Sequence, residues 1–98
     1  MEQQKKLCEY AERALAVASC AQMLCEAGFK ILHIKIGDTD AVVSISYCPK
    51  VKTMNGTACG STYIKGDEYF VYQKDICGAV VRWIEPNFDM LSIARRLH

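Results

Sequence analysis

Six cysteines and two histidines are the residues of this chain best suited to metal or nucleophilic chemistry. Structural zinc sites pair cysteines two to four residues apart. Here Cys48, Cys59 and Cys77 are far more widely spaced. Cys20 and Cys25, five apart on a helix, would diverge by about 140°. His33 and His98 have no paired partner, so no metal ligand is expected. A bridge from Cys48 to Cys59 would close a loop, but a reducing compartment opposes it, and six free thiols acting as small apolar residues are expected. Nucleophilic catalysis needs a thiol or hydroxyl beside a base. His33 alternates with core residues on a strand and should point to the other face. Pairing it with Cys48 or Cys77 leaves no third group to orient it, so no catalytic residue is assigned.

The stretch "YCPKVKTMNGTACGST" carries the second kind of chemistry. Its glycines and hydroxyls suggest a phosphate cradle, yet no Gly-Lys-Ser/Thr follows. Asn55-Gly56 reads instead as a turn pair. From Ala41 to Gly66 there is no acid, while Lys50, Lys52 and Lys65 are present. Pro49 to Thr62 is therefore read as a partner-contacting loop, with Lys50, Lys52, Met54, Asn55, Tyr63 and Lys65 as the contact residues. Tyr63, Tyr69, Phe70, Tyr72 and Trp83 on or near strands could stack single-stranded bases beside that loop. Nucleic-acid binding is accordingly the alternative function.

The elements that must position these groups follow from pattern. Ninety-eight residues, 51% hydrophobic, make one small domain. Twelve basic against 11 acidic residues weaken both a DNA mimic and a nonspecific nucleic-acid binder. No apolar run approaches a membrane span, and the polar start "MEQQKKLCEYAERA" has no signal-peptide core. A cytoplasmic protein is expected, with no membrane partner and no cofactor.

Residues 3 to 27 lack Gly and Pro and are rich in helix formers. Leu7, Ala11, Ala14, Ala18, Ala21 and Cys25 share one stripe, flanked by Tyr10, Val17 and Leu24 on one side and Leu15 on the other. This stripe is the expected core face. Ala16, Cys20 and Met23 then lie opposite, as a surface through which two copies could pair. Gly28 is the expected helix cap. "ILHIKI" and "AVVSISY", joined by Gly37 to Asp40, read as a hairpin with Leu32, Ile34 and Ile36 on one face. "STYIKGDEYFVYQKD" reads as a second hairpin or one short strand. "CGAVVRWIEP" reads as a central strand. Asn87 or Asp89 would cap a last short helix carrying Met90, Ile93, Ala94 and Leu97. The whole is α+β: a long N-terminal and a short C-terminal helix on an antiparallel sheet of about four strands.

"EAGFKILHIKIGDTDAVVSIS" and "CGAVVRWIEP", about a third of the chain, give a layout that resembles small accessory proteins of tailed phages and prophages. The resemblance implies a product that binds a host or phage protein, for example to modulate a host nuclease or defence complex. It assigns no role to any single residue. A non-enzymatic interaction protein is the resulting expectation.

Overall fold

The computed structural model describes residues 2–87, with side chains from residue 8 onward. Helix α1 (Glu2–Glu26) is followed by β1 (Ile31–Ile36), β2 (Ala41–Ile45), a 3-10 helix η1 (Pro49–Met54), β3 (Thr57–Ile64), β4 (Asp67–Ile76) and β5 (Ala79–Pro86). The strands form one sheet in the order β1-β2-β5-β4-β3. The chain is thus α+β, with a helix on a five-stranded sheet. The sheet is mixed, not wholly antiparallel: β5 lies between β2 and β4, parallel to the first and antiparallel to the second. The expected C-terminal helix falls outside the described residues.

The fifth strand, β3, takes the last part of the expected loop together with the first arm of the second hairpin, one of the two readings of "STYIKGDEYFVYQKD". Only Pro49–Met54 and the Asn55-Gly56 pair separate β2 from β3 apart from the short lead after Ile45. "TACGSTYI" is short-chained, with β-branched residues and no proline, and it finds a partner in β4 along its whole length. Two tight hairpins complete the meander. At Lys65-Gly66 φ is 53° and 84°, and at Cys77-Gly78 it is 53° and 82°. Two successive left-handed residues make a type I′ turn, whose twist matches that of the flanking strands.

Helix α1 ends in the expected way. Gly28 adopts φ 91°, and the Phe29 amide donates to the Leu24 carbonyl at 2.9 Å, which closes the helix with a left-handed residue. The face it buries differs from the expected one. Val17, Cys20 and Leu24 are buried, whereas Ala11, Ala18, Cys25 and Leu15 (70% exposed) face outward. The helix is rolled by roughly 100° from the small-residue stripe. Branched Val17 and Leu24 remove more apolar area from water than alanines do, so they, and not the longest run of alanines, select the inward side. The proposed pairing surface is corrected with it. Cys20 is wholly buried. Ala16 Cβ lies 3.4 Å from where a Cβ on Gly78 would stand. Met23 Sδ is 4.0 Å from Cys77 Sγ. That side of the helix meets the sheet and the β4–β5 turn.

The core is built from Val17, Cys20, Leu24, Phe29, Ala41, Val43, Ile45, Val51, Ala79, Val81 and Trp83. Strand register brings these together: Val43 pairs with Val81, and Trp83 with Tyr72, so alternate residues of β2, β5 and β4 face α1 and η1. The β1 register slips between Ile31 and His33, leaving Leu32 60% exposed. This bulge breaks the expected row of Leu32, Ile34 and Ile36. His33, opposite Ser44, is exposed as expected. No helix of the described residues is long and apolar enough to cross a membrane.

Candidate interaction surface

The lysine-bearing stretch is organised from within. Pro49 occupies the first turn of η1, where its fixed φ and missing amide are tolerated. Val51 is fully buried, its amide donates to the Cys48 carbonyl at 3.0 Å, and Thr53 Oγ1 donates to the Lys50 carbonyl at 2.7 Å. Asn55 ends the element in the left-handed conformation, φ 54° and ψ 49°, which Asn tolerates better than most residues. Two lysines fasten η1 to its surroundings. Lys50 Nζ donates to the Ala27 carbonyl at the end of α1 and sits 5.6 Å above the Phe29 ring. Lys74 Nζ donates to the Met54 carbonyl. These ammoniums occupy carbonyls that a helix end would otherwise leave to water.

Gly56 then lets the backbone lie against Trp83. A Cβ at position 56 would stand 2.3 Å from the indole Cη2 and 2.7 Å from Cζ2. The indole is 3% exposed, its Nε1 donates to Glu85 Oε1 at 3.2 Å, and the Tyr72 ring lies parallel to it with centroids 6.1 Å apart. Between η1 and this pair opens a cleft of about 400 Å³ lined by Val51, Lys52, Asn55, Gly56, Tyr72, Trp83 and Glu85. Its exposed lining is mostly polar, and its rim carries both signs of charge. A second concavity of about 400 Å³, lined by Asn55, Thr57, Gln73, Lys74 and Asp75, shares Asn55 with the first.

The six expected contact residues are therefore divided. Lys52 and Asn55 line the cleft. Lys50 is turned to the end of α1, and Met54 is half-buried with its carbonyl taken by Lys74. Tyr63 and Lys65 lie at the β3–β4 hairpin, five residues along β3 from Ala58, the partner of Tyr72, or about 17 Å away. There Tyr63 is 69% exposed and donates to Glu68 Oε2 at 3.2 Å, and this carboxylate raises the phenol's pKa first through the hydrogen bond and then through its charge. Gly56 lies in the expected contact stretch, and Tyr72 and Trp83 were expected beside it as base-stacking aromatics; Glu85, and the burial of the indole under the crossing chain, were not anticipated. The alternation Ala79, Val81, Trp83 was the available signal, since it puts the indole on the core side next to the crossing chain.

The aromatics do not form an open stacking platform. Tyr63, Phe70, Tyr72 and Trp83 share the helix-bearing face by register, and Tyr69 lies on the other. Glu68 and Glu85 stand on the same face as the four. The thiols are dispersed: Cys59 Sγ contacts the Val71 carbonyl at 3.4 Å, and all six cysteines are unbridged. Burial, and next the nearby Cys77, push the Cys20 thiol pKa up. Among the described residues no three His, Cys, Asp or Glu side chains cluster as metal ligands would.

No protein-family model, curated protein or solved structure matches this chain.

Proposed function

We propose that the protein is a non-enzymatic, cytoplasmic interaction module that docks a protein partner through the cleft between η1 and the Tyr72–Trp83 pair. One observation carries this reading: a concave, largely polar cleft rimmed by Lys52, Asn55 and Glu85 is backed by the packed Tyr72–Trp83 pair. Convergent polar groups of both charge signs on a fixed frame suit polar and charged side chains of a protein surface. The fastening of η1 at both ends supports a preformed site, which lowers the ordering cost of binding. The phage-accessory resemblance implies the partner's class, a host or phage protein such as a nuclease or defence complex. Single-stranded nucleic acid is less favoured. Its bases would need open ring faces and a cationic track, but Trp83 is buried, Glu68 and Glu85 interrupt the aromatics, and Lys50 and Lys74 each donate to a carbonyl.

The test is affinity capture from nuclease-treated bacterial lysate, with wild type and Lys52→Glu compared at low and high salt. A protein retained by wild type and released from Lys52→Glu, most clearly at low salt, is the expected outcome. Capture that disappears on nuclease treatment would transfer the assignment to nucleic acid.

A further inference from the structure

The two edges of the sheet are built differently. Edge strand β1 carries His33 and Lys35, follows Lys30, and bulges at Leu32, the usual defences against pairing with another strand. Edge strand β3 has no charge and no proline in eight residues. Its one irregularity lies between Ala58 and Gly60, so residues 60–64 are regular, and among the described residues no strand lies beyond them.

The hairpin fixes which backbone groups this edge offers. Lys65-Gly66 is a two-residue type I′ turn closed by Ile64 opposite Asp67. Such a closing pair exchanges both hydrogen bonds, and bonded and non-bonded pairs then alternate. The amides and carbonyls of Ile64 and Thr62 therefore turn toward β4, and those of Ser61 and Tyr63 turn outward.

We infer that β3 pairs antiparallel with β3 of a second copy, with Thr62 on the two-fold axis. This register alone uses both outward residues without entering the turn or the bulge: Ser61 of each copy exchanges hydrogen bonds with Tyr63 of the other. The side chains agree with it. Gly60, around which a Cβ would meet nothing within 4 Å, falls opposite Ile64, which is 42% exposed. Tyr63, 69% exposed, falls opposite the small Ser61. The assembly closes, because a ten-stranded sheet would have only the defended β1 edges at its ends. This inference is independent of the cleft.

Two kinds of variant test it. Proline is tolerated on an edge strand where its nitrogen faces outward, so Ser61→Pro should abolish the dimer while β3 stays on β4. Sedimentation velocity over a dilution series should show a reversible dimer for wild type and monomer for Ser61→Pro. In a Cys59→Ser background, Thr62→Cys should form a disulfide-linked dimer with diamide, since directly opposite non-bonded residues have Cα atoms about 4.5 Å apart. Ser61→Cys should not exceed the Cys59→Ser baseline, because its two copies would be about 8 Å apart on the diagonal. Wild type that stays monomeric at every concentration overturns the inference. So does crosslinking of Ser61→Cys in preference to Thr62→Cys, and so does a folded Ser61→Pro that still dimerises.

Discussion

Gly56 and Trp83 are in such close contact that an added methyl group would overlap the indole, at 2.3 Å from Cη2. Gly56→Ala must push back the indole or η1, and overpacking of this kind costs about 1–3 kcal/mol. A lowered melting midpoint with unchanged secondary structure is expected, and a midpoint equal to wild type would show that the contact is slack. Cys20 offers a pH-dependent counterpart. Its thiol pKa is raised in the folded state by burial and then by Cys77, so the folded protein holds the proton more tightly than the unfolded chain. That contribution to stability is complete below the unfolded thiol's pKa, about 8.5. It is lost as pH rises from there through the folded value. Cys20→Ala should flatten the alkaline fall in melting temperature. At neutral pH, iodoacetamide should modify exposed Cys8, Cys25, Cys59 and Cys77 well before Cys20, which peptide mass spectrometry would resolve.

At the scale of elements, η1 separates two lysines that the sequence presents as equivalent. Lys50 ties the end of α1 to η1 and Lys52 lines the cleft. Lys50→Glu should therefore destabilise by about 1 kcal/mol, given the bond's exposure, read from the melting curve. A Lys50→Glu melting curve equal to wild type would undo this anchoring role. The β3–β4 turn gives an effect of opposite sign. Lys65 holds φ 53° ahead of Gly66, a conformation that disfavours a long side chain and suits asparagine. Lys65→Asn should stabilise by about 0.5–1 kcal/mol, read from urea midpoints. The helix, its Gly28 cap, the first hairpin and the central place of "AVVRWIEP" were legible because period and turn residues are local signals. The roll of α1 was not, since it depends on which face the sheet accepts. Nor was the split of the lysines, because the carbonyls of Ala27 and Met54 are brought within reach only by the fold.

Over the whole molecule, cover is uneven. Helix α1 packs chiefly on β1, β2 and β5, and η1 adds Val51 over Trp83. Strand β3 is exposed along nearly its whole length. Local opening follows such differences in burial. Amide hydrogen exchange in dilute, monomeric protein should therefore be slowest in β2 and β5 and fastest in β3. A uniform protection profile would mean that the sheet opens only as one unit. Under conditions that favour the proposed two-fold pairing, the Ser61 and Tyr63 amides should slow selectively, linking this pattern to oligomeric state.

Strand β5, seated between β2 and β4, also sets the order in which the sheet can be assembled during synthesis. A ribosome delivers β1 and β2, then β3 and β4, and only afterwards the strand that joins the two pairs. Until Ala79–Pro86 has cleared the exit tunnel, the inner sides of β2 and β4 lack their native neighbour. A chain in which Ala79–Pro86 has not yet docked would persist as two separate hairpins, each with an unpaired inner edge within reach of chaperones or of another copy.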